Sequence, residues 1–122
     1  MVTDPTEQMR YHILEMDTYN LAEQAGMFCD AMNDILSSSG RMFPGSEFTF
    51  ASDEPYEVYF EWFFGHVKAG LTFTADRDDS EWFVNSGDNM RRWMRMRIGD
   101  DTPGSAERFV DEVFSALDTC GN

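Results

Sequence analysis

The chain is short of positive charge. Its 122 residues hold one lysine, eight arginines and two histidines, against 23 aspartates and glutamates. The formal net charge is -14 and the isoelectric point is near 4.2. A protein so charged is repelled by nucleic acid and by anionic membranes, which excludes direct phosphate binding over most of its surface. Cysteine is also scarce. Cys29 and Cys120 are the only two, which is too few for a disulfide framework. No apolar run reaches the length of a membrane span. The opening "MVTDPTEQMR" lacks a basic start followed by an apolar stretch. These absences predict a soluble, cytoplasmic protein.

Histidine and glycine-rich motifs are equally thin. His12 is followed four residues later by Met16, and His66 by Gly70. Neither spacing is that of a metal site. "DRDDSE" at 76–81 has the acid density of a calcium loop without its glycine and terminal glutamate, and reads as a turn. There is no phosphate-binding glycine loop and no nucleophile elbow. Glu57 and Glu61 lie four residues apart on one strand, roughly 13 Å, too far for a glycosidase pair. The expectation is a protein with no catalytic residues, no metal and no cofactor.

What is present is a substantial apolar complement. Hydrophobic residues make up 42% and aromatics 15%, including eleven Phe, enough for a core in a chain of one domain's length, 1–122. Thr6 to about Ser37 reads as one long helix or two helices in line, capped by Thr3 or Asp4 with Pro5 in the first turn. Leu14, Leu21, Ala25, Phe28, Met32 and Ile35 form its apolar stripe. "DTYN" at 17–20 is the weak point. Asp17, Glu23, Asp30 and Asp34 face away from the stripe.

Alternating segments follow. Phe48 and Phe50 share a face in "EFTFAS". "YEVYFEWFF" sets Tyr56, Val58, Phe60, Trp62 and Phe64 on one side, and Glu57, Tyr59, Glu61 and Phe63 on the other. Gly65-His66 turns into "VKAGLTFTA", and "EWFVN" comes after the charged turn. "NMRRWMRMRIG" at 89–99 fits a helix or a strand, and its alternation favours the strand. Ser105 to Leu117 reads as a helix capped by Ser105. The expected fold is α+β: an antiparallel sheet of four or five strands packed by a long N-terminal helix and a C-terminal helix.

The charge is unevenly laid out. Residues 1–90 hold 17 acids and 4 bases, and residues 98–122 hold 6 acids and 1 base. Between them Arg91, Arg92, Arg95 and Arg97 form an arginine-rich spot. It can pair across strands with "DRDDSE" or with the Glu57/Glu61 row, or touch a partner. Taken alone, the glutamates are an ordinary solvated sheet face. With Tyr59 and Phe63 among them they have the anatomy of a binding patch, an apolar centre with a charged rim. The expected partner-binding residues are Glu57, Tyr59, Glu61, Phe63, Asp76, Asp78, Asp79 and Glu81.

The block from Phe43 to Asn85, and within it Val58-Tyr59-Phe60-Glu61-Trp62, resembles an "(I/V)-x-(F/L)-E-W" hairpin of small phage and mobile-element proteins. In size and acidity the chain is similar to anti-CRISPR and other anti-defence inhibitors. The resemblance implies a small accessory protein, not an enzyme. Its partner would be a basic protein or complex, such as a nuclease or CRISPR effector surface, blocked by mimicry of DNA charge. The same composition also suits a toxin immunity protein or antitoxin, an acidic dimeric secretion chaperone, or a domain from a salt-loving host. A homodimer stays open.

Overall fold

The computed structural model of the protein describes residues 4–86 and 92–120. Thr3 and the segment 87–91, with Arg91, lie outside the described residues. The N-terminal third forms α1 (Pro5–Leu14) and α2 (Tyr19–Ser39). Asp4 caps α1 by accepting the Thr6 amide at 2.9 Å, with Pro5 at the first position. α2 ends at Gly40 in the left-handed conformation (φ 68°), whose amide returns to Leu36.

The two helices are not in line, which corrects the sequence expectation. α1 folds back along α2, so that the Cys29 thiol donates to the Thr6 carbonyl at 3.4 Å and Arg10 pairs with Asp30 at 3.0 Å. The reason lies in the connection. Thr18 offers α2 no side-chain cap, and the Glu54 carboxylate, from a distant turn, takes the amides of Asp17 and Thr18 at 3.0 and 2.8 Å. The chain leaves helical geometry to reach that acceptor. Leu14, expected on the buried stripe, therefore ends α1 at 80% exposed.

The strands are β1 (Glu47–Asp53), β2 (Glu57–Phe64), β3 (Val67–Thr74), β4 (Glu81–Ser86) and β5 (Arg92–Arg97). They pair antiparallel in strict chain order, β1-β2-β3-β4-β5. A single 3₁₀ turn, Arg77–Asp79, links β3 to β4. Gly65, at φ 71°, makes the two-residue turn between β2 and β3 possible. The strand reading of the arginine segment holds for Arg92–Arg97.

α3 (Thr102–Cys120) starts three residues before the expected Ser105. Asp101 performs the cap, its Oδ1 taking the Gly104 amide at 3.1 Å and its carbonyl the Ser105 amide at 2.9 Å. The Ser105 hydroxyl donates instead to the Ile98 carbonyl, tying α3 to the end of β5.

All three helices pack on one face of the sheet. His12 of α1 stacks on Phe50 (ring centroids 4.3 Å) and Phe48. Phe28 of α2 meets Phe73 and Phe109, and Phe109 of α3 meets Trp62 and Trp82. Val58, Phe60, Trp62, Phe64, Val67, Ala69, Leu71, Phe73, Trp82 and Val84 are all buried there. Each large side chain so buried stabilises the fold by about 1.5–3 kcal/mol. The result is an α+β sandwich of two layers, with the opposite sheet face left to side chains alone.

Candidate binding surface

That opposite face can be read in register. One row runs Ala51, Tyr59, Thr72, Glu81, Arg97. The next runs Thr49, Glu61, Gly70, Phe83, Arg95, and the third Glu47, Phe63, Lys68, Asn85. Tyr59, Glu61 and Phe63 do share the face, as expected. Their chemistry differs from the expectation.

Glu61 is buried, at 7% exposure. Its carboxylate accepts from the Tyr59 hydroxyl and pairs with Lys68 Nζ at 3.2 Å. Burial, and then the hydrogen bond to this carboxylate, hold the Tyr59 phenol well above its ordinary pKa. Lys68 also lies over the Phe63 ring at 5.4 Å and the Phe83 ring at 6.0 Å. Phe83 stacks with Tyr59, planes 9° apart and centroids at 6.3 Å. The middle of the face is thus an aromatic bed around one neutralised ion pair. Glu61 offers no free charge to a partner.

Of the arginine spot, Arg95 and Arg97 are paired, with the acids of "DRDDSE" as one of the expected arrangements had it. Arg95 holds Glu81 at 2.6 Å, and Arg97 holds Asp79 at 3.1 Å and the Asp78 carbonyl at 2.6 Å. Its partners come from "DRDDSE". The Glu57/Glu61 row lies on β2, three strands away from β5. Elsewhere Arg10 pairs with Asp30, Arg41 with Asp111 at 2.9 Å, and Arg77 with Glu23. Most of the cationic side chains are therefore engaged inside the molecule, and the acids outnumber them.

Part of the exposed acid gathers at one end of the sheet. Three connections meet there: the α1–α2 link at 15–18, the β1–β2 turn at 53–57, and the 3₁₀ turn at 76–79. Glu54 ties the first two through Asp17 and Thr18. The Ala75 amide donates to the Tyr56 carbonyl at 2.8 Å, and Asn20 Nδ2 to the Ala75 carbonyl at 2.9 Å. Arg77 reaches Asn20 Oδ1 at 3.1 Å and the Glu23 carboxylate. The Arg77 hydrogen bond, followed by one from Tyr19, holds Glu23 below the usual carboxylate range, and the Thr18 amide does the same for Glu54. Glu15, Asp17, Asp53, Glu57, Asp76, Asp78 and Asp79 are exposed around this end.

Three large apolar side chains stand among them: Leu14 at 80%, Tyr19 at 79% and Tyr56 at 68% exposed. Sequence reading missed all three. Leu14 and Tyr56 were expected on buried faces, because periodicity was extended past the point where each element stops. The turn residues Pro55 and Asp53-Glu54 were the signal that Tyr56 leaves the strand pattern. Of the expected binding residues, Glu57, Asp76, Asp78 and Asp79 converge on this end. Tyr59, Glu61 and Phe63 belong to the aromatic bed, and Glu81 to the arginine pairs.

Among the described residues no three His, Cys, Asp or Glu side chains are grouped to hold a metal ion. Burial raises the Cys29 thiol to about 11, far from a reactive thiolate. Among the described residues no helix is long and apolar enough to cross a membrane. No protein-family model, curated protein or solved structure matches the chain.

Proposed function

We propose that this protein is a non-enzymatic inhibitor that docks its acidic end onto a basic, nucleic-acid-handling surface of a larger partner, in the manner of anti-CRISPR proteins. The observation that carries the reading is the acidic end itself. Exposed carboxylates from three separate turns surround Leu14, Tyr19 and Tyr56, while the arginines nearby are held in internal pairs. Carboxylates in such an array present a field like that of a phosphate backbone, and they speed encounter with a cationic groove. The exposed tyrosines supply desolvated contact area at low entropic cost. The partner would be a nuclease or a defence effector whose nucleic-acid site is covered.

The test uses one reversal from each turn, Asp17→Lys, Glu57→Lys and Asp78→Lys combined, together with Tyr56→Ala as a separate variant. None of these side chains makes an ion pair within the described residues. Glu61→Lys is unsuitable, because it would set a second cation against Lys68 and disturb the fold. The wild type should capture a nucleic-acid-binding complex from host lysate at low salt and release it at high salt. The captured complex should lose its grip on nucleic acid. The triple variant should bind at least about tenfold more weakly. Capture of a small toxin alone would replace this reading with that of an immunity protein, and no capture at either salt would end it.

A further inference from the structure

The sheet has two free edges, and they are not alike. β5 ends the sheet with Arg95 and Arg97 along its length, charged residues of the kind that keep an edge from pairing. β1 has no such guard. Its seven residues, Glu47–Asp53, contain no proline, lysine or arginine. Among the described residues no hydrogen bond outside the β2 ladder reaches the backbone of Glu47–Ser52. A row of backbone donors and acceptors is thus left for another strand.

The surroundings of this edge say what kind of strand. α1 runs beside it, and Glu7, Gln8, Tyr11, His12 and Phe48 line a groove between the helix and β1. Tyr11 is 62% exposed, and Gln8 Oε1 is buried there without a donor among the described residues. An occupant strand would turn alternate side chains toward this groove and toward the opposite sheet face. On the groove side it meets Tyr11 and Phe48. On the other side it meets Glu47, Thr49, Ala51 and Asp53, the outward residues of β1. Glu7 stands exposed on the groove's rim. Apolar residues alternating with basic ones fit both sides.

A second copy fits poorly. Antiparallel pairing of β1 with itself, centred on Phe50, sets Glu47 opposite Asp53 at both ends. Like charges directly opposite in a ladder are destabilising. From these features we infer that β1 is a strand-addition site for an extended segment of another protein with alternating basic and apolar residues. The site touches the acidic end only at Asp53, and the inference does not depend on the function proposed for that end.

The experiment titrates the isotopically labelled protein with three synthetic peptides. One alternates lysine and valine, one alternates glutamate and valine, and one is the lysine peptide with every second amide N-methylated on its pairing edge. The lysine–valine peptide should bind, and amide protons of Glu47–Asp53 should gain protection from exchange. The glutamate peptide should not bind. N-methylation should weaken binding by about tenfold or more, since it removes the ladder and keeps the charge. Glu47→Lys should weaken binding of the lysine peptide while leaving the exchange pattern of the helices unaltered. The inference is overturned if the lysine peptide fails to bind at about 1 mM. Equal affinity for the N-methylated peptide overturns it too, because charge alone then explains binding. So does protection of β1 that grows with protein concentration and no peptide, which would make a second copy the occupant.

Discussion

Gly70 governs how the helix-free face of the sheet is filled. A Cβ at this position would lie 2.4 Å from Phe83 Cε1 and 3.0 Å from the Phe60 carbonyl oxygen. The missing side chain is what lets the Phe83 ring lie across β3 and stack with Tyr59. Gly70→Ala should displace that ring and cost about 1–3 kcal/mol, read from urea unfolding, with a shift in Tyr59 absorbance. Gly26 provides the contrast. It sits inside α2 with open space where its Cβ would be, so Gly26→Ala should stabilise by about 0.5–1 kcal/mol. Equal effects of the two substitutions would refute the role given to Gly70. An isolated glycine in an alternating strand announces a close approach in the sequence. Which ring approaches depends on strand register, and one strand's pattern does not contain that.

At the scale of elements, Glu54 has the widest reach, because one carboxylate joins the β1–β2 turn to the start of α2. Its pKa is lowered by the Thr18 amide above all. A carboxylate depressed on folding contributes stability that is complete above its unfolded pKa of about 4.3 and is lost as pH falls through the folded value. Stability should therefore decline as pH drops below about 5, and Glu54→Gln should flatten part of that decline. At neutral pH the same variant should cost about 1 kcal/mol, the worth of a charge-assisted pair of hydrogen bonds at a partly exposed site. An unchanged acid limb in the variant would count against this tie. The strands and the burial faces of β2, β3 and β4 were legible because alternation is strict where a face is buried. The back-fold of α1 was not. It is set by Glu54, a residue some 36 positions from Thr18, and local periodicity holds no trace of such an acceptor.

For the whole molecule, charge is the governing quantity. A net -14 on 122 residues repels itself, and the internal ion pairs remove cations without removing the excess of acids. Raising salt from a few millimolar to about 0.15 M, where the screening length is about 8 Å, should raise the melting temperature by about 2–5 °C. A fall instead would mean that the internal pairs outweigh the repulsion. That an acidic surface exists was plain from composition. The cluster at one end was only half visible, since Asp76, Asp78 and Asp79 are neighbours in sequence while Asp17 and Glu57 join them through turns. The strict β1-to-β5 order of the sheet carries a further consequence, for the order of synthesis. Every strand pairs with the one made just before it, so the sheet can assemble while the chain is still being made. The face around Trp82 and Val84 has no such early partner. It waits for Phe109, Val110 and Val113 of α3, which is made after all five strands, and a chain stalled before Thr102 would present an open aromatic surface to chaperones and proteases.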